Sequence, residues 1–109
     1  MATEVRAKKA LGQHFLTDLN IAQKICNSLT ERAETEPVAT LEVGCGMGVL
    51  TQYLLQRTDI TTFGAEIDSE SVEYLHAHYP EFAPRLIEGD FLKMNLRELF
   101  PDGVRVIGN

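Results

Sequence analysis

The stretch 41-LEVGCGMGVLT-51 constrains this chain more than any other. Glycines stand at 44, 46 and 48, between an apolar run and a run of helix formers. Glycine accepts a left-handed backbone at little cost, so a strand, a tight glycine loop and a helix are expected here. Such a loop brings backbone close to something small and polar. A dinucleotide fingerprint would place its third glycine at 49, where Val49 stands, and a Walker loop would need a lysine that 48-GVLT-51 lacks. Both phosphate readings therefore weaken. A loop offering amides without a dedicated cation suits a nucleoside with an amino-acid tail better than a pyrophosphate.

Around the loop the pattern alternates. Asp18 is placed to cap a helix in which Ile21, Ile25 and Leu29 form an apolar stripe widened by Ala22 and Cys26. Pro37 marks a break, and 38-VATLEV-43 reads as a buried strand. A helix is expected over about 49–57, with Leu50, Leu54 and Leu55 on one side. A second strand is expected at 61-TTFGAEI-67, then a helix capped by Asp68 or Ser69 and carrying Val72, Leu75 and His76. A turn lies between Pro80 and Pro84, a third strand at 85-RLIEG-89, a short helical turn at 95-NLRELF-100 and a fourth strand at 104-VRVIG-108. Strands alternating with helices over short connections imply an α/β fold with a parallel sheet, the first half of a doubly wound, Rossmann-like architecture. Residues 1–16 read as a basic arm and 17–109 as part of a ligand-binding domain. A chain stopping mid-alternation, on the carboxyl end of a strand, reads as a fragment truncated before the second half of its sheet.

Ligands of open α/β sheets bind outside the carboxyl ends of the strands. Glu66 ends the second strand, 22 residues after Gly44, where a carboxylate can accept both hydroxyls of a ribose. Asp90 ends the third, where a carboxylate can accept the exocyclic N–H of an adenine while the next amide donates to the ring. With Glu42 or the glycine loop on the first strand and Asn109 after the fourth, four polar positions converge on one edge.

Composition narrows the class. The net charge of −6 argues against a general nucleic-acid binder, yet residues 1–14 carry Arg6, Lys8 and Lys9 against Glu4 alone. A basic arm on an acidic body can touch phosphate. No apolar run reaches the ~18–20 residues that span a bilayer, and the N-terminus has no secretory h-region, so no membrane partner is expected. Two cysteines, Cys26 and Cys45, fit a reducing cytoplasm. His76 and His78 do not share a helix face, and no cluster has metal-ligand spacing, so no metal is expected.

The segments 8-KKALGQHFLTD-18, 41-LEVGCGMGVLT-51, 65-AEID-68 and 89-GDFLK-93 have the order and spacing seen in the rRNA adenine N6-dimethyltransferases, and the chain resembles that family over nearly its whole length. The GQHFL arm is the most discriminating part, because methyltransferases in general lack it. The resemblance implies a class I methyltransferase domain that uses S-adenosyl-L-methionine. Gln13 and His14 would line the methionine end of that cofactor, with Leu16 of the same arm beside them. Gly44 and Gly46 would pass beneath it, Glu66 would hold the ribose, Ile67 would pack on the adenine, and Asp90 with the Phe91 backbone would read the adenine edge.

The family's fourth motif, Asn-apolar-Pro-aromatic, would begin at Asn109, which would both touch the cofactor and act catalytically. An adenine N6 lone pair is delocalised into its ring, so oxygens accepting the amine hydrogens are needed to aim that pair at the sulfonium methyl, and the base must be flipped out of its stack. Arg6, Lys8 and Lys9 would hold RNA phosphate. The implied partners are small-subunit ribosomal RNA and the pre-30S ribosomal particle. The 109 residues alone are expected to be inactive. The rival readings are an erythromycin-resistance-type enzyme of large-subunit RNA and a non-catalytic nucleic-acid-binding relative.

Overall fold

Apolar runs bounded by glycine and proline dominate the middle of the chain, and they form the sheet. The computed structural model describes residues 19–29 and 36–108. Helix α1 (Leu19–Asn27) precedes strand β1 (Val38–Val43), and a short helix α2 (Thr51–Leu54) leads to β2 (Ile60–Glu66). Helix α3 (Ser69–His78), β3 (Leu86–Glu88), α4 (Leu96–Leu99) and β4 (Arg105–Gly108) follow, with 3-10 turns at Ala83–Arg85 and Phe91–Lys93. All strand pairs are parallel, in the order β3-β2-β1-β4. β1 is therefore central, and the order reverses between β1 and β4, the switch point at which doubly wound sheets hold their ligands. No helix among the described residues is long and apolar enough to cross a membrane.

Glu42 is paired with Gly64 on one side and Ile107 on the other, so these three side-chain positions share one sheet face. That face carries two adjoining apolar clusters. Ala22, Cys26, Leu50, Leu54, Ile60 and Ile107 form one, and Cys45, Leu75 and Phe82 the other. Burying each of the larger side chains stabilises the fold by about 1.5–3 kcal/mol. Phe63, next to Gly64 and so on the opposite face, meets Phe100 edge-on at 4.9 Å.

Several expectations need correction. The stripe of α1 does not centre on Ile21, which is half exposed; Ala22 and Cys26 are buried instead. Small side chains there let the helix approach closely. The helix after the glycine loop is a single regular turn, Thr51–Leu54, flanked by looser turns with bonds such as Gln52 N to Gly48 O and Arg57 N to Leu54 O. Leu50 and Leu54 join the α1 cluster, whereas Leu55 packs against the cluster of Cys45, Leu75 and Phe82. Neighbouring helical residues lie about 100° apart, so a helix wedged between two others sends them to different neighbours. The turn between Pro80 and Pro84 contains Phe82, the largest fully buried side chain among the described residues. β3 is shorter than expected, and Ile67 lies beyond β2. Asp68 caps α3, accepting the Ser71 amide at 3.1 Å; the cap expected at Asp18 falls outside the described residues.

Candidate ligand pocket

The glycine loop owes its shape to three left-handed residues, Gly44 (φ 72°), Gly46 (φ 56°) and Gly48 (φ 83°). Their surroundings differ. A Cβ at Gly48 would lie 2.7 Å from the Tyr79 ring, whereas one at Gly44 would meet open space. The loop thus packs tightly on α3 at its far end and leaves room at the sheet end.

That room is an open pocket of about 240 Å³ at the carboxyl ends of three strands. Val43 of β1 with Gly44 just after it, Ala65 and Glu66 of β2 with Ile67 just after them, and Gly89 to Leu92 after β3 line it. Ladder bonds carry the sheet past its ends here: Gly44 N donates to Ala65 O at 2.8 Å and Gly89 N to Glu66 O at 2.9 Å. The floor is consequently rigid, built from paired backbone rather than loop.

Glu66 is 2% exposed, and its carboxylate organises the pocket. Oε1 accepts the Gly46 amide at 2.7 Å and Oε2 accepts the Asp68 amide at 2.9 Å. A carboxylate has about four acceptor sites in all, the kind of group that can receive the hydroxyls of a vicinal diol. Asp90 lines the same pocket and caps the turn at Phe91–Lys93, accepting the Leu92 amide on Oδ1 at 3.0 Å. Ile67 and Leu92 present apolar surface at the pocket mouth, 63% and 87% exposed.

Gly44, Glu66, Ile67, Asp90 and Phe91 therefore meet in one pocket. The Gly46 amide donates to Glu66 from within the loop. Gln13, His14, Leu16, Arg6, Lys8, Lys9 and Asn109 fall outside the described residues. Glu42, read as a strand-end polar residue, does not line the pocket. The pleat turns it into the helix-covered face, where it is 1% exposed and accepts a hydrogen bond from the Thr51 hydroxyl. Burial, with the nearby Glu66 carboxylate adding to it, pushes Glu42 up to about 7 against the pull of hydrogen bonds from Thr51 and Cys45. Cys45 is buried with it, and burial first, then the two glutamates, push its thiol far above the ordinary range. A neutral, inert thiol results.

Sequence reasoning missed the Glu42–Thr51 pair. Its signal is a glutamate inside an apolar strand followed by a hydroxyl residue at the first turn of the next helix. Arg57 was also missed. Its guanidinium holds Asp59 through Nε at 2.9 Å and caps α1 by donating from Nη1 to the Cys26 and Leu29 carbonyls, both at 3.0 Å.

The sequence profile of the family described as "Ribosomal RNA adenine dimethylase" matches residues 4–109. A curated protein of Porphyromonas gingivalis named "Ribosomal RNA small subunit methyltransferase A" is 53% identical over 108 residues, covering 96% of this chain and 40% of the relative. Proteins of the same name from Cytophaga hutchinsonii and Flavobacterium johnsoniae are 49% and 46% identical, each over 97% of this chain and 40% of their own length. The chain thus spans about 40% of the length of these curated relatives.

Proposed function

The chain belongs to the ribosomal RNA adenine dimethylase family, and on that premise we propose that its pocket holds S-adenosyl-L-methionine and that the protein dimethylates N6 of two adjacent adenines in small-subunit ribosomal RNA. Its target is the RNA within the pre-30S particle, and it works in the cytoplasm. The observation that carries this reading is the convergence of Gly44, Glu66 and Asp90, from the carboxyl ends of three different strands, on one pocket.

The residues present fit this cofactor. Gly44 leaves the space where a side chain would stand, and the buried Glu66 carboxylate, held by the Gly46 and Asp68 amides, is the acceptor for the ribose hydroxyls. Asp90 accepts the adenine amine, the Phe91 amide donates to the ring, and Ile67 offers an apolar surface to its face. When bound, the cofactor supplies a sulfonium-activated methyl group. Gln13, His14 and Leu16 serve its methionine end, and Asn109, next after β4, accepts a hydrogen of the target amine. Arg6, Lys8 and Lys9 hold RNA phosphate, which makes part of the RNA affinity fall with salt. Catalysis by such a site is chiefly orientation and electrostatics.

Calorimetric titration of the protein with S-adenosylmethionine tests the cofactor assignment. Binding weakened at least tenfold by Glu66→Ala and by Asp90→Ala is expected, and no binding by the unaltered protein refutes it. Incubating the full-length protein with unmodified ribosomal subunits tests the substrate; methylation of the large subunit alone would favour the erythromycin-resistance type.

A further inference from the structure

Two glutamates are buried among the described residues, Glu42 and Glu66, and only Glu66 lines the pocket. Glu42 sits behind the pocket wall, one residue before the end of β1, joined to the helix beyond the glycine loop through Thr51. The groups facing it can be named element by element. β2 contributes Glu66, the loop Cys45, α1 Cys26, the end of α3 Tyr79, α2 the Thr51 hydroxyl, and β4 the apolar Ile107. Among the described residues, none of these groups is a cation. Glu42 feels the charge of Glu66, and that raises its hold on a proton. A charge bound against Glu66 acts on Glu42 through the same poorly screening interior.

We infer that Glu42 sets the charge preference of the pocket: it releases its proton when a cationic adenosine ligand settles against Glu66 and the glycine loop, and keeps it when the ligand is neutral. The inference rests on the S-adenosylmethionine reading above. That cofactor carries a net positive charge at neutral pH, and its demethylated product, S-adenosylhomocysteine, carries none. On binding of the cation the carboxyl O–H of Glu42 breaks and the proton passes to solvent. The carboxylate left behind keeps the hydrogen bond donated by Thr51. Near neutrality Glu42 is divided between its two forms, so the exchange needs no large perturbation. By linkage, affinity for the cation rises with pH while affinity for the neutral product stays flat. The pocket then favours cofactor over product most strongly on the alkaline side of neutrality.

Isothermal titration at pH 7 in buffers of different ionisation heat reads the protons exchanged. The protein should release more protons on binding S-adenosylmethionine than S-adenosylhomocysteine, and Glu42→Gln should abolish Glu42's share of that difference. Comparison with Glu42→Gln also cancels titration of the ligand's own amine. Affinity for the cofactor relative to the product should rise about three- to tenfold from pH 6 to pH 8 in the unaltered protein only. Should the variant not fold, the carboxyl carbon resonance of Glu42 in the unaltered protein decides, its titration midpoint falling with the cofactor and not with the product. Tight binding with equal proton release from protein and variant, or an unmoved midpoint, overturns the inference and leaves the cofactor reading intact. Binding of neither ligand overturns both.

Discussion

Glu66 Oε1 accepts the Gly46 amide at 2.7 Å across 20 residues of sequence, so the second strand of the sheet fixes the shape of the loop that follows the first. The other oxygen takes the Asp68 amide, where the chain turns into α3. One buried carboxylate thus holds two backbone turns, which Glu66→Gln cannot do, because its amide group would face one N–H with another. We expect that variant to lose about 2 kcal/mol of stability in urea denaturation, and its cofactor affinity to fall along with it.

The loop glycines should differ in sensitivity. Gly48→Ala combines a left-handed backbone with a Cβ 2.7 Å from the Tyr79 ring, and a loss of about 2–3 kcal/mol is expected. Gly44→Ala meets no atom, so only the backbone term of about 1–2 kcal/mol applies. Its cofactor affinity should nonetheless fall, because the new methyl stands at the pocket. Thermal melts paired with calorimetric binding separate the two effects.

Stability should decline as pH rises from about 4.5 to 7. Glu42 ionises near the ordinary glutamate value of 4.5 in the unfolded chain and at about 7 in the folded one. The folded state therefore binds the extra proton across that window, and each step upward in pH costs stability until both forms are ionised. The full effect is about 3 kcal/mol at most. Glu42→Gln should flatten this slope and be more stable than the unaltered protein above pH 7, as denaturation at several pH values would reveal. A parallel slope in the variant would assign the effect elsewhere.

Arg57→Ala should release α1 from the body of the fold. Its side chain is 16% exposed and serves two carbonyls and a carboxylate at once, so a loss of about 2–3 kcal/mol is expected. Arg57→Lys restores the charge without the planar fork and should recover little. Hydrogen exchange in α1 should accelerate more than exchange in β1.

The sequence was most informative where one physical pressure acted alone. β1 runs from Val38 to Val43 as expected, because a buried parallel strand needs a continuous apolar run and proline and glycine bound it. Glu66 and Asp90 reached the pocket because strand ends are where loops begin and side chains meet the ligand. Glu42 misled because it stands one residue too early: alternation along the strand sends it behind the wall that Val43 lines. Ile21 and Leu55 misled because periodicity gives a helix a buried side without saying which neighbour covers it. Phe82 lies between prolines that mark a turn, and only the close seat of its ring against Gly64, where a Cβ would stand 2.5 Å away, turns that segment inward.

The thiol of Cys26 on α1 donates to the carbonyl of Leu50 at 3.4 Å, just past the glycine loop. Burial raises that thiol to about 11, so the proton stays in place throughout the physiological range. The helix is thus fastened to the exit of the glycine loop by a contact that no pH change in that range undoes, so a displacement of α1 would pass directly to the segment that frames the pocket.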